Sequence, residues 1–223
     1  MNVDEAITSR KSVRRFLPTP VPRATVEHIL EVAARAPSGH NVQPWRVYAL
    51  AGEPLAKLGA AVLHAAKTEA DAHQPEYEYY PTKWVEPYIG RRRATGFGLY
   101  AALGIARDDA ARREAQMLRN YTFFDAPAGL MVTLDRRLET GSFMDLGMFI
   151  QSIMIAARGQ GLHTCAQAAF AWYHKIIRAH LPIADDELLT CGISLGYEDP
   201  SAPENAFITT REPVGAFTHF EGF

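Results

Sequence analysis
The chain has 223 residues, enough to bury a substantial core, with 48% apolar and 22% charged residues and a net charge of −2. This composition excludes disorder and fibrous repeats, and the mild acidity gives no electrostatic reason to expect nucleic acid or an acidic membrane surface as partner. There is no run of 18 or more apolar residues, and the start MNVDEAITSR lacks a signal-peptide pattern, so no membrane association and a cytoplasmic location are expected.

Asn2 followed by Glu5 predicts a capped short helix with Val3, Ala6 and Ile7 on its apolar face, ending near Arg10. Pro18, Pro20 and Pro22 mark an extended connector. Val26, Ile29, Leu30 and Ala33 then recur at helical spacing up to Pro37. Three short apolar or β-branched runs, 46–51, 129–134 and 190–195, read as strands. Residues 74–93 (QPEYEYYPTKWVEPYIGRRR) read as an insertion within one unit spanning 1–223, followed by helical pattern from Gly98 to about Leu118.

The segment 144–158 (MDLGMFIQSIMIAAR) is apolar nearly all round. It is expected to be buried on every side, which in a chain of this size calls for a second subunit. The tail from Asp199 ends in Phe217, Phe220 and Phe223, too apolar to hang free, and an extended arm lying on a partner is one solution. Cys165 and Cys191 fit no metal-ligand spacing and read as reduced, buried apolar groups.

Three segments carry chemistry. In Arg10 to Arg15 (RKSVRR), an extended backbone would point Arg10, Ser12 and Arg14 the same way, and two guanidiniums with a hydroxyl suit a phosphate dianion. A solvated basic turn has the same composition. In Pro37 to Trp45 (PSGHNVQPW), Gly39 permits close backbone approach, while Asn41 and Gln43 can read a polar heterocycle or polyol. An ordinary turn with Trp45 in the core is the alternative. The third segment joins the small residues Ala166, Ala168 and Ala169, which leave backbone N–H groups open to a flat ring, with Thr209-Thr210-Arg211 near the end.

Together, Ser9-Arg10-Lys11-Ser12-Val13-Arg14-Arg15-Phe16 and Ala36-Pro37-Ser38-Gly39-His40-Asn41-Val42-Gln43-Pro44-Trp45 resemble the two early signatures of the FMN-dependent nitroreductase family. The resemblance continues through Gly161-Leu162-His163-Thr164-Cys165 and Gly192-Ile193-Ser194-Leu195-Gly196-Tyr197 to Arg211-Glu212-Pro213-Val214. It implies an α+β fold, with a central, mostly antiparallel sheet flanked by helices, in an intertwined homodimer with an extended C-terminal arm. It also implies FMN as cofactor, NAD(P)H as electron donor and a small electron-poor aromatic, reduced from nitro to hydroxylamine, as acceptor. Donor and acceptor would take turns at one site, giving ping-pong kinetics. Quinone or enone reduction, reductive dehalogenation and a non-catalytic flavin-binding sensor are alternatives on the same scaffold.

The cofactor residues implied are Arg10, Lys11, Ser12, Arg14, Gln167, Ala168, Ala169, Thr209 and Arg211. Pro37, Ser38, Gly39, Asn41 and Gln43 would reach across from the other subunit. Arg10 and Arg211 would hold the phosphate, Arg14 would lie towards the pyrimidine edge, and backbone groups at Ala168 and Ala169 would face flavin N5 and O4. Two departures from the family pattern stand out. Ala166-Gln167-Ala168-Ala169 replaces a Pro-x-Glu-Gly type sequence, so a backbone contact survives but a carboxylate role does not. A usual Asn and Lys pair has no direct equivalent, leaving Arg119 or Asn120 as its substitute, with Asn120 entered in the cofactor set. Tyr88, Arg93 and Phe124 are the candidate substrate contacts, and no residue is assigned to a metal or to acid–base catalysis. The tyrosines of 74–93 and Trp84 could stack on an aromatic substrate or form a small satellite core. Arg91 to Arg93 could attract a carboxylated substrate or cofactor phosphate, or form a solvated basic face.

Overall fold
The structure, a computed structural model, describes residues 1–223. Helix α1 (Val3–Ser9) begins at the expected capping box, in which the Glu5 N–H donates to Asn2 Oδ1 and the Asn2 N–H donates to the Glu5 carboxylate, both at 2.9 Å. Two donors that a helix start leaves open are thereby satisfied. Helix α2 (Arg23–Ala33) buries Val26, Ile29 and Ala33, and strand β1 (Trp45–Ala51) leads into α3 (Gly52–Thr68), which buries Leu55, Leu58, Val62 and Ala65. Then follow α4 (Tyr88–Ala102), α5 (Ala110–Leu118), β2 (Ala128–Asp135), α6 (Gly141–Gly159), β3 (His163–Gln167), α7 (His174–His180), β4 (Glu187–Gly196) and α8 (Pro203–Ala206).

The four strands form one sheet in the order β1-β2-β4-β3, every pair antiparallel, with helices on both faces. Side chains alternate across it. Ala128, Leu130, Val132 and Leu134 of β2 face α2 and α6, whereas Met131 faces α3 and the core around Phe123 and Phe170. On that second face, glycine lets aromatic rings lie against the sheet. A Cβ on Gly129 would stand 2.5 Å from the Phe123 ring, and one on Gly192 would stand 2.4 Å from Phe170. Adding either methyl would force the ring or the strand aside.

Two expectations are revised. Strand β3 lies in a segment where no strand is expected from the sequence, because five residues with His163 and Gln167 at the ends carry little strand signal. The helical pattern expected from Gly98 begins at Tyr88 and is two helices, separated at Gly104 (φ 61°) and restarted where Asp109 caps the Arg112 N–H. Helix α6 buries only one face within the chain, through Leu146, Phe149, Ile153 and Ala157, while Met144 is 71% exposed. Likewise the tail is irregular beyond α8, and Phe217, Phe220 and Phe223 are exposed. Both cysteines are buried and free, and burial pushes the Cys191 thiol up to about 12.

Candidate functional site
After α1 the chain runs extended alongside the edge strand β3, with Ser12 bridged to Thr164 and the Val13 N–H donating to the Thr164 carbonyl at 3.1 Å. Period-two alternation therefore sorts the RKSVRR segment. The odd positions are used by the fold: Lys11 Nζ pairs with Glu198 at 2.6 Å and donates to the Asn205 carbonyl, Val13 is fully buried, and Arg15 pairs with Asp125 at 2.6 Å. The even positions remain. The Arg14 guanidinium donates only to the Ser12 carbonyl at 3.2 Å, and neither Arg10 nor Arg14 has a carboxylate partner. The charge of Lys11 is thus already compensated within the chain.

Arg211 joins this cluster from the far end of the chain. Its guanidinium donates to Thr209 Oγ1 at 2.7 Å and to the carbonyls of Thr209 and Thr210, and it has no acidic partner. Burial, followed by repulsion from Arg211, drives the Arg10 guanidinium below its ordinary value. Two like charges held within mutual influence, with no carboxylate between them, form a site short of an anion. Thr164 Oγ1, in the strand beside Ser12, is buried without a hydrogen-bond partner. This donor set fits the phosphate of a flavin mononucleotide.

A clamp missing from the sequence reading fixes the cluster. Asn205 in α8 is 2% exposed, and its amide joins both strands of the turn: Oδ1 accepts from the Arg14 N–H at 2.8 Å, while Nδ2 donates to the Arg15 and Asp199 carbonyls at 2.8 and 2.9 Å. The adjacent Glu204, 3% exposed, pairs with Arg119 at 2.7 Å and Arg15 at 3.5 Å. Arg119, which also contacts Asp125, is thus a structural cation.

The other end of β3 opens on a cleft of about 590 Å³. Its lining includes Ala166, Ala168 and Ala169 with Asn120 and Tyr121, together with Tyr77, Tyr79 and Tyr80. Asn120 lines this cleft and Arg119 does not. Gln167 lines the cleft but is only 3% exposed, its amide donating to the Asn120 carbonyl at 2.8 Å and accepting from Ser194 at 2.6 Å, so its side chain acts as a buried brace. Phe124, 2% exposed in the core, gives no surface to a substrate. Its backbone turns inward with φ 54°, which sequence periodicity did not reveal.

The tyrosine wall is anchored from behind. Glu76 receives Arg136 at 2.8 Å, His174 at 3.3 Å and Arg178 at 3.4 Å. Burial alone would raise the Glu76 carboxyl, but the Arg136 hydrogen bond and the charges of His174, Arg136 and Arg178 outweigh it and hold the group below its ordinary value. Tyr77 donates to the Thr190 carbonyl at 2.5 Å. Tyr88 and Arg93 lie elsewhere: both are exposed on α4, where Tyr88 stands under Arg91, and neither lines the cleft. Arg91 pairs with Glu212 at 2.9 Å and Arg92 lies over Trp84.

The Pro37 to Gln43 loop is exposed and conformationally strained. His40, Asn41 and Gln43 all have φ between 49° and 59°, costing on the order of 1 kcal/mol each for non-glycine residues. Ser38 Oγ accepts from the Gln43 N–H at 3.0 Å and the Gly39 N–H donates to Asp145 at 3.2 Å, which holds the loop over the start of α6. The arginine cluster lies near the other end, where Arg158 donates to Ser9 at 3.2 Å. From Asp145 to Arg158 is about 20 Å of helix at 1.5 Å per residue. The loop also enters β1, the sheet edge opposite β3.

An α+β sheet protein with an uncompensated arginine cluster at one end of an edge strand, and an aromatic-walled cleft at the other, suits an elongated ligand with an anionic end and a flat end. Residues 7–197 match the sequence model of the Nitroreductase family, and the chain belongs to that family. It is 44% identical over 219 residues to a 4-nitrobenzoate reductase of Nocardioides sp. (strain LMS-CY), covering 97% of this chain and 89% of that one. It is 40% identical over 218 residues to a nitrobenzene nitroreductase of Ectopseudomonas oleovorans, covering 98% and 96%. Among solved structures, an FMN and NADPH-dependent nitroreductase from sphigopyxis sp. strain HMH superposes with a TM-score of 0.96 at 38% identity, covering 100% of both chains.

Proposed function
We propose that this chain is an FMN-dependent oxidoreductase that uses NAD(P)H to reduce an electron-poor aromatic, converting a nitro group through nitroso to hydroxylamine, and that it works as a homodimer. The observation that carries the reading is the carboxylate-free set Arg10, Arg14 and Arg211, joined by β3 to the cleft at Ala168 and Ala169. Four residue steps along and just beyond β3 separate Thr164 from Ala168, about 13 Å at 3.3 Å each, a span commensurate with a flavin mononucleotide.

Bound FMN supplies the two-electron chemistry. Arg10 and Arg211 would hold the phosphate with forked, charge-assisted hydrogen bonds, Thr209 keeping Arg211 in place, and Ser12 would add a neutral bond. Arg14 would lie at the pyrimidine edge, and the backbone N–H groups of Ala168 and Ala169 would face N5 and O4. Tyr77, Tyr79 and Tyr80 would offer aromatic surface to the ring.

The homodimer reading rests on distance and exposed surface. The Pro37 to Gln43 loop stands about a 20 Å helix length from the arginine cluster of its own chain. Its Ser38, Gly39, Asn41 and Gln43 would therefore serve the site of a second copy. Met144 and Met148 on α6, with Phe217 and Phe220 in the tail, are the apolar groups that copy would cover. Light scattering is expected to give twice the chain mass, and dissociation of the dimer is expected to release the cofactor; a flavin-loaded monomer would overturn this part.

The test of function is optical. Purified protein should carry flavin absorbance that bleaches anaerobically on addition of NADH or NADPH and returns on addition of a nitroarene. Initial-rate lines at several donor concentrations should run parallel, because donor and acceptor share one cleft. Absence of bleaching would make the chain a flavin-binding protein without turnover, and recovery with a quinone alone would move the acceptor class.

A further inference from the structure
The charge of the cleft carries a reading of substrate class, which rests on the function proposed above. Glu76 and Glu78 stand two residues apart at the base of the tyrosine wall, and the fold treats them oppositely. Glu76 turns inward to Arg136, His174 and Arg178, while Glu78 turns outward, is exposed, and lines the cleft without an ion-pair partner. Asp71, on the short helical turn Ala70–Ala72, is a second exposed lining carboxylate without a partner. Every other residue that this chain contributes to the lining is neutral. The one triple-arginine run is directed elsewhere: Arg91 is held by Glu212, Arg92 covers Trp84, and Arg93 is on α4 away from the cleft.

We infer that the cleft selects neutral or cationic nitroarenes and discriminates against those bearing a carboxylate. Aromatic walls supply the attraction for the ring, which every nitroarene shares. Two uncompensated carboxylates then raise the energy of an anion placed between them and lower that of an ammonium. Because both are exposed, solvent and salt screen them, and the discrimination is expected to be about threefold to tenfold, shrinking as ionic strength rises. The inference separates this chain from its relative named as a 4-nitrobenzoate reductase, despite 44% identity.

The test uses 4-nitrophenylacetate, 4-nitrobenzyl alcohol and 4-nitrobenzylamine, in which a methylene insulates the nitro group from the charge. With the flavin-loaded dimer, kcat/KM should rise in the order anion, alcohol, ammonium, and the ratios should narrow to within about twofold in the double variant Asp71→Asn, Glu78→Gln. Dissociation constants of the same probes, read from perturbation of the bound flavin spectrum without any donor, should follow the same order. Because ratios are compared within one protein, a general loss of activity in the variant does not disturb them. Absence of turnover with the binding order intact would defeat the nitro-reduction reading and leave the inference standing. Preference for the anion would overturn the inference, and loss of that preference in Arg93→Ala would place the selecting charge on α4 of the second copy.

Discussion

Replacing Arg10 with alanine is expected to weaken FMN binding about 10- to 100-fold, the loss of a charge-assisted phosphate contact of about 1.5–3 kcal/mol. The apoprotein should respond differently. Without an anion, the half-buried Arg10 is desolvated and faces Arg211, and both effects penalise its charge. Truncation removes that repulsion, so the melting temperature of the apo form should hold or rise while the stabilisation conferred by added FMN falls. A surface arginine with a purely structural role would show the reverse pattern. Arg211→Ala should reproduce the loss of affinity, and the double variant should lose less than the sum, because the two side chains grip one group. Fluorescence titration of the apoprotein with FMN measures all three variants. Purification of Arg10→Ala with its full complement of tightly held flavin would defeat the phosphate assignment.

The basis of that prediction was half visible in the sequence. Period-two alternation after the first helix correctly grouped Arg10, Ser12 and Arg14, since an extended segment has only two faces. It did not show that Lys11 and Arg15 are occupied, because Glu198, Asp125 and Glu204 lie more than one hundred residues away. Local signals fared well where local physics decides: the Asn2–Glu5 box, the β-branched runs, and the helical spacing of Val26, Ile29 and Ala33 all lie where they were expected. Signals failed where tertiary packing decides. Strand β3 is short and polar at its ends, and it exists because β4 pairs with it. Phe124 reads as an aromatic free to meet a substrate, yet a left-handed backbone turns it into the core. Helix α6 shows how much a pattern can say: its all-round apolarity is met within the chain on one face only, and Met144 and Met148 remain exposed on the other.

Asn205 is where sequence reasoning had least to offer and where substitution should be most costly to the fold. Asn205→Ala is expected to destabilise the apoprotein by about 2–4 kcal/mol, since three side-chain hydrogen bonds vanish and the Arg14 N–H and two carbonyls lose buried partners. The loss should also reach the cofactor. Asn205 fixes the backbone of Arg14 and Arg15 and accepts from Lys11 through its own carbonyl, and the segment leading to Arg211 begins two residues later. One amide therefore registers the amino-terminal and carboxy-terminal halves of the anion site, and FMN affinity should fall about tenfold although Asn205 need not touch the cofactor. Asn205→Asp should not rescue either property: a carboxylate can still accept from the Arg14 N–H, but it sets oxygen against the Arg15 and Asp199 carbonyls where the amide donated. Urea unfolding of the apoprotein reports the first effect, and FMN titration under native conditions reports the second. A variant that loses stability while binding FMN with unchanged affinity would confine Asn205 to holding α8 in place, and the two halves of the site would then have to be aligned by the Lys11–Glu198 and Arg15–Glu204 pairs alone.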